Sequence, residues 1–391
     1  MSLNLDKSTW KRVRLGDVIC RSRKQVDPVA SGVERYVAGG HVDTEGVTIN
    51  RWGQVGDGQM GSTFRYVFEP GQVLFVSARP YLRKVGVPDF SGVVADKTYV
   101  LDAVPENGLL HEFLPFVLSS DRFIEYATAE ATGSMNPRLL WGQMQRYEFD
   151  LPPLDEQMRL ADLLRAIERH RRELVSGNAT LHAFRSLFVD QNLPLGAGMT
   201  SLGEVASISS GITLGPARRA MIRTAPYLRV ANVQRGKLDL SEIKDIGATE
   251  AEVQTKSLEF GDILVVEGHA SIEDIGRAAI WDRDDSPLYQ NHLFRVRANQ
   301  SYRPMFLLEW INSARGRAYI RTVAKSTSGL NTINSTALKE MPIPIVTLEK
   351  QDRLLRDLSV IDNGLSALSS ELASIMRLRL SNSADIFGGT P

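Results

Sequence analysis

Two polar loops, with basic stretches beside them, hold the residues of this sequence best suited to chemistry. The loop ATGSMNPR contains Gly133, Ser134, Asn136 and Arg138, and the loop KSTSGLNTINS contains Ser328, Gly329, Asn331 and Asn334. Asparagine matches the donor and acceptor of an adenine edge, and arginine matches the two acceptors of guanine, each through paired hydrogen bonds. Residues 76–88 add Arg79, Arg83 and Lys84 around Tyr81 with no acid among them. Residues 311–339 add Arg315, Arg317, Arg321, Lys325 and Lys339, again without an acid. Lys97 and the run Gln290, Asn291, His292, at the mouth of an apolar segment, complete the set. Cations concentrated in this way neutralise phosphates. The chemistry expected is contact with nucleic acid, although Gly, Ser and Asn are also what ordinary turns require.

Catalytic signatures are missing. There is no G-x-x-x-x-G-K-[ST] phosphate loop, no H-E-x-x-H, no C-x-x-C and no G-x-S-x-G. The run of Asn or Asp, two prolines and an aromatic that marks amino-methyltransferases is also absent, and MNPR at Asn136 comes nearest. GDGQMG, Gly56 to Gly61, has dinucleotide-loop spacing but follows the polar NRWGQV and precedes a strand-like STFRYVFEPG. A dinucleotide site needs a buried strand before it and a helix after it. Asp57 would also face the pyrophosphate, so a glycine-rich turn is expected. The histidines, at 41, 111, 170, 182, 269 and 292, pair at no metal-ligand spacing. A nuclease reading built on Asp96-Lys97 matches no better than chance. No catalytic residue and no metal site are expected.

The elements that would position these loops occur twice. WKRVRLGDVICRS has a counterpart in MTSLGEVASISSG, FEPGQVLFVSARPYLRKVGV in LEFGDILVVEGHASIEDIGRAAI, and KTYVLDA in NHLFRVRA. Gly71 to Gly261 gives a period of 190 residues. Residues 73–77, 93–101, 262–266 and 292–296 read as strands between turns, and 110–126 and 305–323 show helical spacing. Each copy then runs through paired prolines into a heptad helix. In the first, Leu160, Ile167, Leu174 and Leu181 recur every seven residues; in the second, Leu354, Ile361, Leu368 and Ile375 do so. A lone seam would face water, so the two helices are expected to pair. Arg165, Glu168, Arg169, Arg172 and Glu173 are expected to solvate the outer faces of the first.

The whole-chain numbers bound the class. The 391 residues are too many for one ordinary domain, and 43% apolar with 24% charged content describes a soluble globular protein. Balanced charge, 46 basic against 46 acidic, weighs against nucleic acid unless the cations cluster. Cys20 is the single cysteine, which excludes an intrachain disulfide. No apolar run of about 18 residues exists, and the first residues hold no signal-peptide core. A cytoplasmic location is expected.

The combination resembles the specificity subunit of type I restriction-modification enzymes. LPPLDEQMRLADLL after the first copy and MPIPIVTLEKQDRLL after the second carry the likeness, with SARPYLRKVGV, GDILVVEGHASIEDIGRAAIW and YQNHLFRVRA inside the copies. The likeness implies an α+β fold: two pseudo-twofold-related target-recognition domains, mixed α/β globules, separated by two long antiparallel coiled-coil helices. The expected division is 1–153 and 193–345 for the recognition domains, with 154–192 and 346–391 for the spacer helices. It also implies a non-catalytic subunit that reads a bipartite asymmetric site in double-stranded DNA, one domain per half-site. Two methyltransferase subunits and a restriction/translocase subunit would be its partners. S-adenosylmethionine, ATP and Mg would sit on those partners, with no cofactor on this chain and no membrane contact. The second helix start, Thr347 to Gln351, departs from the proline-led acid pair of the first, and TSGLN departs from TGSMN. A coiled-coil scaffold without DNA contact and an unrecognised methyltransferase fragment are the alternatives.

Overall fold

A computed structural model describes residues 3–44, 46–193, 198–327 and 329–388. The chain forms two compact units, Met1–Gly177 with Leu368–Pro391, and Asn178–Ala367.

In the first unit, a five-stranded sheet runs in the order Ile19–Ser22, Thr98–Ala103, Val73–Val76, Val85–Pro88, Thr48–Ile49. A four-stranded sheet of Gly53–Gln54, Arg35–Val37, Gly92–Ala95 and Phe64–Phe68 lies in the same unit. The strand expected over 93–101 is therefore two strands in different sheets, broken at Asp96-Lys97. The helix expected over 110–126 is likewise two, Leu114–Ser119 and Asp121–Glu130. Ser120 divides them: it has extended backbone and its hydroxyl accepts from Phe123 N–H, capping the second helix. Leu114, Val117, Leu118 and Phe123 nevertheless enter one core with Phe75, Tyr99 and Leu101, as their spacing requires.

The second unit repeats this course. Its four-stranded sheet runs Ala206–Ser210, Leu293–Ala298, Ile263–Val266, Ala278–Ile280. Helices Pro304–Asn312 and Ala314–Val323 replace the single helix expected over 305–323, with Ser313 as the cap between them. The turns into the central strands match in detail. Gly71 and Gly261 both take φ +90°, and the next side chain, Gln72 or Asp262, accepts from the N–H of Glu69 or Glu259. GDGQMG is a turn: Gly56 and Gly58 have positive φ, and the Asp57 carboxylate accepts from Gln59 and Met60 N–H.

The long helices span Leu154–Asn192 and Leu348–Phe387. Each starts with a buried glutamine that fastens the helix to its own unit. Gln157 accepts from Leu110 N–H and donates to the carbonyls of Gly108 and Pro152. Gln351 accepts from Arg303 N–H and donates to those of Ser301 and Val346. Both side chains are fully buried with donors and acceptor engaged, which gives the spacing from proline to glutamine a physical reason.

The heptad residues serve two surfaces. Leu160 with Leu164 packs into the core of the first unit, and Leu354, Leu358 and Ile361 into that of the second. In the first unit Ile167 and Leu174 are buried while Leu368 and Ile375 are half-buried. Across from them, His170 Nε2 lies 2.9 Å from Glu371 Oε1. In the second unit Leu181 approaches Gly364, where an added Cβ would come within 3.2 Å of its Cδ2, and Arg185 pairs with Asp362 and Glu309. Within each unit the rising numbers on one helix meet falling numbers on the other, so the segments run antiparallel. Glu168 corrects an expectation: it is buried, not solvated, and receives both Nε and Nη2 of Arg171 at 2.9 and 2.8 Å.

Candidate nucleic-acid interface

Strand register lets the two units be compared residue for residue. Val76 pairs with Thr98, and Val266 with Leu293, so the residues just beyond, Ser77 with Lys97 and Glu267 with His292, hold equivalent places. The same hydrogen bonds close both corners. Ser77 N–H donates to Lys97 O at 2.8 Å, and Glu267 N–H to His292 O at 3.0 Å. Leu139 N–H donates to Ser77 O and Ile333 N–H to Glu267 O, both at 2.9 Å. The polar loops thereby dock on the ends of the central strands, with Ala78 bridged to Arg138 and Gly268 to Thr332. By this register Asn331 stands where Pro137 does, and not where Asn136 does.

The first corner gathers many of the residues singled out above. Arg79, Tyr81 and Lys97 are exposed, as are Gly133, Ser134 and Asn136. Arg79 and Arg83 adopt φ +51° and +55°, in the left-handed region that non-glycine residues seldom enter. Arg79 N–H is held by Pro137 O at 2.7 Å. Three cations are already engaged. Arg138 donates to Ser77 Oγ at 3.1 Å and pairs with Asp96 at 3.2 Å. Arg83 pairs with Asp121, and Lys84 Nζ donates to Gly39 O. Burial and the neighbouring Arg79 and Arg51 charges push the Lys84 ammonium below its usual range.

The second corner has the same backbone and different side chains. His292 Nδ1 lies 2.9 Å from Glu267 Oε2, and both border a cleft lined also by Val230, Lys325, Leu330 and Thr332. Gln290 and Asn291 are half-buried beside it, and Asn291 N–H donates to Ile212 O. Gly329 and Lys325 are exposed. The Asn331 amide donates to the carbonyls of His269 and Ala270, and Asn334 caps the helix Ser335–Lys339 by accepting from Ala337 N–H at 2.7 Å. Ser328 lies outside the described residues. Sequence reasoning missed Ser77 and Glu267, Asp96 as the partner of Arg138, and Thr332. Matching the two copies position by position would have found Glu267 opposite Ser77.

Among the described residues, no group of three or more His, Cys, Asp or Glu could hold a metal ion, and no helix is long and apolar enough to cross a membrane.

No protein-family model matches the chain. A solved chain from work on the complex assembly and conformational transition of the type I R-M system aligns over 96% of both chains, with TM-score 0.62 and 21% identity. The S subunit of the type I restriction-modification system of M. genitalium aligns over the full length of both, with TM-score 0.56 and 14% identity. The fold is that of a type I S subunit. Sequence relatives carry the same description. The EcoKI specificity subunit of Escherichia coli K12 is 24% identical over 170 residues, covering 42% of this chain and 37% of that protein. The putative MjaX specificity subunit of Methanocaldococcus jannaschii is 26% identical over 153 residues, 38% of this chain and 35% of that protein. The StySPI specificity subunit of Salmonella potsdam is 28% identical over 131 residues, 33% and 28%. The matches span about a third of the length of these curated relatives.

Proposed function

We propose that this chain is the DNA-specificity subunit of a type I restriction-modification system. Each unit reads one half of a bipartite, asymmetric site. The observation that carries the reading is the recurrence of one backbone corner with different side chains: Ser77, Lys97 and Arg138 in one unit, Glu267, His292 and Thr332 in the other. A repeated scaffold offers equivalent surfaces to two copies of one partner, while unlike side chains read unlike sequences. The exposed cations Arg79 and Lys97 suit guanine or phosphate. Glu267 suits the amino group of cytosine.

On this reading the long helices hold two methyltransferase subunits, a restriction/translocase subunit completes the assembly, and S-adenosylmethionine, ATP and Mg act on those partners. The chain itself is non-catalytic. Partners supply part of the phosphate neutralisation that a neutral chain does not. A footprint on target DNA should give two protected patches around an unprotected gap. A single continuous patch, or S-adenosylmethionine binding by the purified chain alone, would contradict the proposal.

A further inference from the structure

An arginine without a hydrogen-bonding or ionic partner among the described residues borders the corner of the first unit. Arg21 lies on the edge strand Ile19–Ser22, opposite Leu101. Its guanidinium carbon is 4.2 Å from the centre of the Tyr99 ring and 5.9 Å from those of both Tyr66 and Trp141. The cage is fixed: Tyr99 donates to Leu139 O at 2.8 Å and meets Trp141 edge to face at 5.7 Å. Arg21 Nε is buried and unpartnered, and its terminal nitrogens reach no acceptor among the described residues.

Burial lowers the Arg21 pKa, the like charges of Arg23 and Arg138 lower it further, and Tyr99 and Tyr66 oppose them. A guanidinium carries five donors; at Arg21 only Nε is shut off from solvent, while the terminal nitrogens stay open to it with no acceptor among the described residues. Ring faces compensate part of the lost hydration but accept little hydrogen bonding. Four other described arginines share a buried, unpartnered Nε. Arg229, Arg277 and Arg295 each anchor a terminal nitrogen on a carbonyl or carboxylate, and Arg317 is set against the like charge of Arg235. Arg21 alone of these stands in an aromatic cage beside a recognition loop. Arg138 of that loop lies 5.9 Å from the same Tyr99 ring. In the second unit the register places Ile208 and Phe294 where Arg21 and Tyr99 stand, so the device belongs to the first unit.

We propose that Arg21 is a DNA contact of the first unit, held by its aromatic cage so that its terminal nitrogens meet a paired acceptor on the duplex, either a guanine edge or a phosphate. The proposal rests on the DNA reading above.

The test uses the full chain, with R21M, R21Q and R21K variants. Sequence is selected from a randomised duplex library, salt-dependent binding is measured on the selected duplex, and each protein is melted. R21M should bind roughly 10- to 100-fold more weakly, with a melting temperature little changed, because the terminal nitrogens bond nothing in the protein and methionine keeps the apolar packing on the rings. If the acceptor is guanine, preference relaxes at one position of the first half-site, and R21K does not restore it. If it is phosphate, the selected sequence persists, the slope of log affinity against log salt falls by about one, and R21K restores binding. A folded R21M or R21Q with wild-type affinity and motif would overturn the proposal, as would a lowered melting temperature with binding unchanged. A wild-type chain that selects no sequence would instead overturn the DNA reading on which it stands.

Discussion

At the level of single residues, side chains that look alike in the sequence do different work. Asn334 caps a helix and Asn331 holds two carbonyls. Arg138 is tied to Asp96 and Ser77. Partners so distant in the chain leave no local signal, which is why these roles were not legible. The turn at Gly56–Gly61 was, because the spacing of its glycines and its polar flanks determine it; the buried fastening roles of Gln157 and Gln351 were not. Gln351→Ala should therefore destabilise the second unit by about 1–3 kcal/mol, the cost of orphaning buried backbone groups, measured by denaturant unfolding. A second prediction concerns acid. Arg218 donates to Glu252 Oε1 at 2.6 Å, and Glu252 also accepts from Thr249 N–H, which together lower its pKa from 4.5 to about 2. Because the folded value is depressed, the contribution is fully present above pH 4.5 and is lost as pH falls toward about 2. The stability gap between wild type and Glu252→Gln should shrink across that window. A gap constant from pH 5 to 2 would contradict it.

Among the elements, both heptad helices were legible from their repeat, whereas their shared use was not. Periodicity marks an apolar face without saying what covers it. Leu160 and Leu354 pack into the globule cores, and Glu168 is buried because Arg171 satisfies it. Nor could the breaks at Ser120 and Ser313 be read, since serine in a helical pattern is ordinary until its hydroxyl is seen capping. The last turn of the second long helix is structural for the first unit. Ile386 and Phe387 join its core, and Asp385 accepts from Leu3 N–H at 2.6 Å. Phe387→Ala should cost the first unit about 3 kcal/mol, seen as a lowered unfolding midpoint. Ending the chain near Val346 should damage both units, because it also removes Leu354, Leu358 and Ile361 from the second core. A soluble, well-folded product of that deletion would refute the packing described.

For the molecule as a whole, the duplication was the most legible feature, and it carries the functional claim. Two units share one frame and differ where the frame presents side chains. The long helices, of 39 and 40 residues, would then set the unread gap. Inserting a heptad into both keeps the seams in register and lengthens each by about 10 Å, near three base pairs at about 3.4 Å each. The preferred gap should grow by roughly three, with some loss of affinity as the half-sites rotate by about a third of a turn. The central claim is tested most directly by mapping the methylated motif made by this chain with the methyltransferase subunits proposed as its partners, in wild type and in Lys97→Ala and His292→Ala variants. The account predicts a bipartite motif in which Lys97→Ala relaxes only one half and His292→Ala only the other. An uninterrupted motif, or two folded variants that relax both halves alike, would contradict it.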